Sequence, residues 1–135
     1  MVKVNFASLS LFISLAAASG WMDTCKNEDL SPEGAVTASC SKGKDAGWND
    51  GASIDLTKNC FKWDPASGKS TIYHGGDGLK GCRKFEIIQV PQATPILQAE
   101  CDIPSNVQNS NQTTGSVRIE WNNDLLSNQG GNLGC

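Results

Sequence analysis

The chain has 135 residues, of which 11 are Lys or Arg and 14 are Asp or Glu, so its formal net charge at pH 7 is −3. A protein that binds nucleic acid presents a basic surface to the phosphates, and this mildly acidic sequence has no basic excess to build one. It also has no cluster of Lys and Arg that would attach it to an anionic membrane. Length and charge therefore predict one domain with neither nucleic acid nor a membrane as its partner.

The first twenty residues predict a secretory signal peptide. Lys3 supplies a positive charge, Leu9 to Ala18 form an apolar segment, and Ala16 to Gly20 form a small-residue cleavage zone. The apolar segment is far shorter than the ~20 residues of a membrane-spanning helix. The mature protein is therefore expected to be secreted, to begin near Ser19 or Trp21 and to carry a net charge of −4, because Lys3 is the only charged residue removed. The alternative is an ordered N-terminal helix.

The rest of the chain predicts short β-strands, since no stretch keeps a helical apolar period for three turns. Apolar and polar residues alternate at 36–39, 53–56 and 117–120. Residues 85–90 form the strongest strand candidate, which Pro91 ends, and 96–100 is expected to return as its antiparallel partner. Turns are predicted at Asp64-Pro65, at Gly75 to Gly78 and at Gly130-Gly131. The fold class is therefore predicted to be all-β.

The sequence contains an internal repeat. Val36-Thr37-Ala38-Ser39-Cys40 matches Leu97-Gln98-Ala99-Glu100-Cys101, and another cysteine, Cys25 or Cys82, precedes each run. A strand-like segment follows each run. Two copies are too few for a solenoid, so the repeats, at about 21–78 and 79–135, predict one domain with pseudo-twofold symmetry. Duplicated small β units without catalytic residues are more often binding modules than enzymes.

Six cysteines, an even number in an exported chain, predict disulfides, with fifteen possible connectivities. Cys25 and Cys40 occupy places equivalent to those of Cys82 and Cys101 in the two copies, which favours these two pairs. Cys60 and Cys135 then remain, and a bridge between them would tie the end of the chain to its middle. The competing hypothesis is a structural zinc site, but the sequence has no Cys-x-x-Cys pair and one histidine, His74.

Two kinds of residue point to exposed loops. Asn111-Gln112-Thr113 is a sequon in a polar stretch and predicts a glycosylation site at Asn111. Trp48 lies in a predicted loop rich in Gly, Asn and Asp and is expected to be exposed. Trp63 and Trp121 follow strand segments in the two copies, where their rings could stack on sugars or fill the core, and both alternatives stay open.

Taken in order, the motifs Thr24-Cys25, 36–40, 53–56, Gly81-Cys82-Arg83, 97–101, 117–119 and 126–133 resemble the cyanovirin-N homology family, in particular its secreted fungal-type members. The resemblance runs from about Trp21 to Cys135. It implies two pseudo-symmetric halves, each a small three-stranded sheet plus a β-hairpin, with segments exchanged between the halves. It also implies the disulfides Cys25–Cys40 and Cys82–Cys101.

The resemblance also implies two shallow carbohydrate sites. The first, here called the terminal site, consists of Asp23, Thr24, Ser41, Lys42, Ser127 and Asn128. The family's turn aspartate is matched by Gly130, which removes one acceptor. The second site maps onto Lys62, Trp63, Asp64, Gly76, Asp77, Lys80 and Asp102. There the polar run after the fourth cysteine is replaced by Ile103-Pro104.

The function implied by the resemblance is that of a lectin that recognises mannose-containing, high-mannose-type glycans without a metal or other cofactor. The family's inter-half hinge corresponds to the glycine-rich Gly75 to Gly78, which is expected to be flexible and allows a monomer or a domain-swapped dimer. A secreted protein that binds a protein partner on the same scaffold, with its sugar sites lost, is the alternative function.

An enzyme is not expected. The sequence has no nucleophile elbow, metal-ligand pair or phosphate loop. A glycosidase needs two carboxylates across a cleft, and the spacing of the acidic residues pairs no two of them. His74, beside Gly75, is predicted to be a solvated loop residue without the orienting partner that a general base requires.

Overall fold

The structure, a computed structural model, describes residues 20–107 and 112–135, and within them the protein is a set of small antiparallel β-sheets. The strands are β1 (Cys25–Leu30), β2 (Ala35–Ser41), β3 (Trp48–Asp55), β4 (Phe61–Trp63), β5 (Ile72–His74), β6 (Cys82–Ile88), β7 (Ile96–Asp102), β8 (Thr114–Glu120), β9 (Ser127–Gln129) and β10 (Asn132–Gly134). Two single 3₁₀ turns lie at Pro65–Ser67 and Ser105–Val107. The prediction of an all-β protein is confirmed.

Two three-stranded sheets have the same construction. The first sheet has the order β1-β2-β3 and the second has the order β6-β7-β8. In each sheet the pairing of the first two strands begins at a disulfide-bonded pair of cysteines. The pair is Cys25 with Cys40 in β1–β2, and Cys82 with Cys101 in β6–β7. In each, the register then shifts around a residue with positive φ, Asn27 (58°) or Lys84 (55°). A β-bulge of this kind twists the strand locally, and here it occurs at equivalent places in the two sheets.

Two hairpins complete the architecture, and each packs against the sheet on the other side of residue 78. Hairpin β9–β10 lies against β3, where the Asn49 Nδ2 donates to the carbonyl oxygen of Gly131 at 2.8 Å. Hairpin β4–β5 lies against β8, where the Arg118 backbone N–H donates to the carbonyl oxygen of Ser70 at 2.9 Å. The hairpin contacts therefore cross the boundary predicted near residue 78.

The core is one cluster of apolar residues from both sheets. Its largest fully buried side chains are Trp21, Phe61, Leu56, Leu97 and Leu125. Trp21 packs edge-on against Trp121, with ring centroids 5.4 Å apart, and its indole N–H donates to the carbonyl oxygen of Asn122 at 3.0 Å. The first residues after the predicted signal peptide are therefore part of the core.

Three disulfides join the cysteines as Cys25–Cys40, Cys82–Cys101 and Cys60–Cys135. The first two pairs confirm the prediction from the repeat. The third ties the end of β10 to the start of β4, and so links the two hairpins covalently. No helix in the part of the chain that the structure describes has the length and apolarity needed to cross a membrane.

Three local predictions are wrong. Strand β6 ends at Ile88 and not at Val90, because the Val90 carbonyl accepts from the N–H of Ala93 in a turn. Trp48 begins β3 instead of lying in a loop, since a backbone hydrogen bond from Lys42 to Gly47 closes the β2–β3 hairpin just before it. His74 is exposed, as predicted, but it ends β5 instead of lying in a loop, and its ring lies against that of Phe61. The predicted signal peptide (up to residue 19) and Asn111 lie outside the described residues.

The predicted hinge at Gly75 to Gly78 is held by backbone hydrogen bonds. Gly75 and Gly76 donate to the Cys60 carbonyl, at 2.7 and 3.3 Å, and Gly78 donates to the Phe61 carbonyl at 2.9 Å. Gly78 also lies so close to the chain that a Cβ there would stand 2.4 Å from backbone atoms of Thr57 and Lys58. These contacts oppose the flexibility that the glycine content predicted.

The Gly78→Ala variant is expected to lose about 2–3 kcal/mol of unfolding free energy, because its φ of 118° is unfavourable for alanine and the new Cβ meets backbone. Gly75→Ala is the matched control: φ is 89° and nothing lies within 4 Å of a Cβ there, so it should lose only about 1 kcal/mol. Urea denaturation of both variants measures the difference. Equal losses would contradict the close packing of Gly78.

Candidate functional site

The terminal site forms where the start of β1, the end of β2 and the middle of β9 meet. Thr24 immediately precedes β1, Ser41 is the last residue of β2, and Asn128 is the central residue of β9. The Ser41 N–H donates to the Thr24 carbonyl at 2.9 Å. The Asn128 side-chain Nδ2 donates to the Thr24 Oγ1 and to the Ser41 carbonyl, each at 3.0 Å. The structure thus brings together three predicted site residues that are far apart in sequence.

The amide group of Asn128 is used within the protein. Its two N–H groups are taken by Thr24 and Ser41, and its Oδ1 accepts from the N–H of Gly131 at 2.8 Å. An amide has two donors and two acceptor lone pairs, so one lone pair of Oδ1 remains for a ligand. Asn128 therefore has a structural role first: its amide hydrogen bonds to Thr24, Ser41 and Gly131 fix the other site residues and the Gly130-Gly131 turn. We call this set of hydrogen bonds the clamp.

The remaining predicted residues surround this clamp and reach solvent. Asp23 is exposed and accepts from the Asn123 side-chain amide at 2.7 Å. Lys42 is exposed, and its ammonium group has no ion-pair partner among the residues that the structure describes. The half-buried Ser127 Oγ accepts from the Gln129 side chain at 3.0 Å. The site thus offers a carboxylate, an ammonium and hydroxyl groups on a hydrogen-bonded frame.

Sequence reasoning did not assign two residues that border the terminal site. Trp48 pairs with Ser41 across β2 and β3, and its ring is 45% exposed. The Lys26 Nζ lies 4.4 Å from the ring centroid, a distance at which a cation is attracted to the aromatic face. Asn49, the next residue, anchors the β9–β10 turn through Gly131. The strand register of the β2–β3 hairpin is the signal that would have placed them beside Ser41.

The second sheet repeats the backbone frame of the terminal site without its side chains. The Asp102 N–H donates to the Gly81 carbonyl at 3.0 Å, as that of Ser41 does to Thr24. Gly81 has no hydroxyl group, and the Asp102 carboxylate pairs with the Arg83 guanidinium at 2.8 Å. This hydrogen bond raises the pKa of Arg83 above its ordinary value.

No hydrogen bond or ion pair in the described part of the chain joins the other predicted residues of the second site into one group. The Trp63 indole N–H donates to the Lys69 carbonyl at 2.8 Å, and the Asp64 carboxylate accepts from the N–H of Ala66. Asp77 and Lys80 lie after β5, and no hydrogen bond or ion pair within residues 20–107 and 112–135 joins either side chain to Trp63 or Asp64. Lys62 and Gly76 are in close contact, because a Cβ on Gly76 would lie 2.5 Å from that of Lys62.

Three concave surfaces, of about 340 to 440 Å³, lie outside the terminal site. The largest is bordered by His74, Ile96, Arg118 and Ile119 at the junction of β5 and β8. The other two adjoin β8. The described residues contain no group of three or more His, Cys, Asp or Glu side chains placed to hold a metal ion.

No protein-family model matches the sequence, and no curated protein sequence matches it. The resemblance to the cyanovirin-N homology family therefore rests on the motifs themselves.

Proposed function

We propose that this protein is a secreted lectin of the cyanovirin-N type that binds mannose-containing glycans at the terminal site, without a metal. The observation that carries the proposal is the clamp formed by Asn128, which joins Thr24 and Ser41 from the other end of the chain. A clamp of this kind holds donors and acceptors in fixed positions before a ligand arrives. This reduces the entropy lost on binding a flexible sugar.

The architecture supports the same proposal. A hairpin from the other part of the sequence lies against each three-stranded sheet. An exchange of segments, as the resemblance implies, would produce contacts of this kind. The three disulfides and the signal-like N-terminus suit an extracellular protein. A fold alone does not carry a function, so the proposal rests on the terminal site.

The chemistry of the terminal site predicts weak binding of a single sugar. A neutral hydrogen bond contributes only about 0.5–1.5 kcal/mol, and one to a charged group about 1.5–3 kcal/mol. The groups that can make such bonds are few: the exposed Asp23 and Lys42, the partly exposed hydroxyl groups of Thr24 and Ser127, and the remaining lone pair of the Asn128 Oδ1. Useful avidity would then come from several sites or several molecules acting on one branched glycan.

Replacing Lys42 with alanine is expected to weaken binding of a high-mannose oligosaccharide about tenfold, because a charge-assisted hydrogen bond to a sugar hydroxyl is lost. Thermal stability should not change, since the side chain is exposed. Calorimetric titration measures the affinity, and Lys58→Ala, which removes an exposed lysine in the turn after β3, is the matched control.

The Asn128→Ala variant tests the clamp, because it should lose both glycan binding and thermal stability. A folded, disulfide-bonded protein that binds no mannose-terminated glycan on an array would contradict the lectin proposal. So would binding that neither Lys42→Ala nor Asn128→Ala weakens.

A protein partner is the second candidate, and the exposed Trp48 is the observation that favours it. Large exposed aromatic side chains are frequent anchors of protein interfaces. Because Trp48 borders Ser41, its replacement alone would not separate the two functions. A competition experiment separates the two functions. Free mannose oligosaccharide should displace a partner that is bound through its glycan, and should have no effect on a partner that is bound through Trp48 by protein contacts alone.

A further inference from the structure

The three disulfides differ in how far solvent reaches them. All six cysteines lie in the described part of the chain, and only Cys135 is exposed. Its bridge partner, Cys60, is buried, with 5% of its surface exposed. The cysteines of the other two bridges are buried, except for the half-buried Cys82. Cys60–Cys135 is therefore the most accessible bridge, and it is reached through Cys135.

Accessibility decides which bridge an external thiol attacks first, because exchange requires the direct approach of a thiolate to one of the two sulfur atoms. Neither Cys60 nor Cys135 lies in a strand. By contrast, each of the other bridges joins two directly paired residues of neighbouring strands. A thiolate reaches those bridges only when the strands separate, which costs the free energy of opening a sheet. Reduction of the folded protein should therefore begin at Cys60–Cys135.

The Cys60–Cys135 bridge tethers hairpin β9–β10, whose two strands have three residues each. An isolated two-stranded hairpin is at best marginally stable in water. This hairpin is held on the first sheet by the clamp of Asn128, by the hydrogen bond from Asn49 to Gly131 and by the buried Leu133. A covalent tether at the end of β10 therefore adds substantially to these contacts.

The other end of the bridge is a fixed anchor. The Cys60 carbonyl accepts hydrogen bonds from the N–H groups of Gly75 and Gly76, at 2.7 and 3.3 Å. Cys60 also has a φ of 76°, a left-handed conformation that is unfavourable for a residue with a side chain and persists where the surroundings impose it. Opening the bridge should therefore free the hairpin end, at Cys135, more than the anchor.

We propose that Cys60–Cys135 is a redox switch of the terminal site. A dithiol reductant opens this bridge in the folded protein, hairpin β9–β10 loosens from the first sheet, and the clamp of Asn128 loses its fixed position. Glycan binding is weakened as a result, a consequence that rests on the proposed function of the terminal site. The switch itself rests on the accessibility of Cys135 and on the contacts of the hairpin.

The reaction transfers two electrons, and its co-reactant is the dithiol. One thiolate of the dithiol attacks the Cys135 Sγ, which forms a mixed disulfide and releases the Cys60 thiolate to take up a proton. The second thiol then attacks the reductant's own sulfur in the mixed disulfide, so that the reductant leaves as a disulfide and Cys135 as a thiol. The protein thus holds glycans in oxidising surroundings and releases them where dithiols are abundant.

The first measurement is the reduction of the oxidised mature protein by rising concentrations of dithiothreitol, without denaturant. Free thiols are trapped with iodoacetamide and located by peptide mass spectrometry. Cys60 and Cys135 should be alkylated at least about tenfold faster than the other four cysteines. Those four, in the two sheet bridges, are the matched control within the same molecule.

The second measurement compares ¹⁵N amide spectra of the oxidised and the selectively reduced protein. The amides of Asn49, Asn128 and Gly131 should shift and lose protection from hydrogen exchange, because the hairpin loosens. Those of Ala99 and Val117, in the second sheet, should not change. This readout needs no glycan, so it tests the switch separately from the lectin proposal.

The third measurement is a calorimetric titration with a high-mannose oligosaccharide. Selective reduction should weaken the affinity about tenfold, and reoxidation should restore it. The Cys60→Ala/Cys135→Ala variant is the matched control, because it lacks the bridge. It should bind as weakly as the reduced protein, and dithiothreitol should not change its affinity.

The results distinguish failure of the switch from failure of the lectin proposal. Equal alkylation of all six cysteines would overturn the switch, as would loss of all dispersed amide signals on reduction. Selective reduction without shifts at Asn128 and Gly131, or with unchanged glycan affinity, would overturn it too. Local shifts in a protein that binds no glycan in either state would support the switch of the hairpin and overturn the lectin.

Discussion

Replacing Cys60 and Cys135 with alanine is expected to lower the free energy of unfolding by about 4 kcal/mol, because the unfolded chain regains the entropy of a long loop. The bridge spans 75 residues, against 15 for Cys25–Cys40. The Cys82–Cys101 bridge lies inside the long loop and shortens it, which keeps the expected value below that of a free loop of that size. Urea denaturation of the oxidised variant measures the loss.

The Cys25→Ala/Cys40→Ala variant is the control for loop length, and should lose about 3 kcal/mol. Both variants remove two sulfur atoms, so the difference between their unfolding free energies depends mainly on the lengths of the two disulfide-closed loops. A smaller loss for the Cys60–Cys135 pair than for the Cys25–Cys40 pair would contradict the chain-entropy explanation. It would mean that the contacts between the two hairpins and the sheets already restrict the unfolded chain.

Replacing Trp21 with alanine is expected to cost about 3–5 kcal/mol, the usual range for a fully buried tryptophan. The side chain is completely buried, its ring packs edge-on against Trp121, and its indole N–H has one acceptor, the carbonyl of Asn122. The truncation would leave a cavity beside Trp121 and leave the Asn122 carbonyl without its indole donor. The thermal midpoint and the urea midpoint should both fall.

Two further variants show how much of this loss in stability comes from the indole hydrogen bond and how much from burial of the ring. Trp21→Phe keeps most of the ring but removes the N–H, and should cost about 1 kcal/mol for the hydrogen bond plus part of the packing. Trp48→Ala removes an exposed ring and should cost less than about 1 kcal/mol, mainly from its contact with Lys26. A loss below about 1 kcal/mol for Trp21→Ala would show that the N-terminal segment does not belong to the core.

Sequence patterns predicted the longer strands because alternation of apolar and polar residues is a local signal. β7 buries every second residue over most of its length, and exposed residues of β8 alternate with less exposed ones around the buried Val117. β2 buries Val36, Ala38 and Cys40 in the same way but also Ser39, whereas β3 buries only Ala52. The strands of the two hairpins are only three residues long, too short for alternation to be recognised. β9, Ser-Asn-Gln, is entirely polar and is held as a strand by its pairing with β10 and by the hydrogen bond from Asn128 to the segment before β1.

The candidate site, like the fold, was predicted only in part from the sequence. The resemblance predicted Thr24, Ser41 and Asn128, and the contacts that unite them join residues 104 and 87 positions apart. No local pattern could show that these contacts use both N–H groups of Asn128. Trp48 was missed as a neighbour because its place depends on the register of β2 and β3, which the length of the connecting turn decides.

Order of synthesis matters for a chain built in this way. The first sheet is complete once β3 has been made, yet the hairpin that covers it, β9–β10, is the last structure to emerge. Cys25–Cys40 and Cys82–Cys101 close short loops and can form on the growing chain, whereas Cys60 must wait for Cys135. The clamp of Asn128 depends on the same late segment. The terminal site is thus absent until β9 and β10 have been made, and a chain that stops before them can hold two oxidised sheets without it.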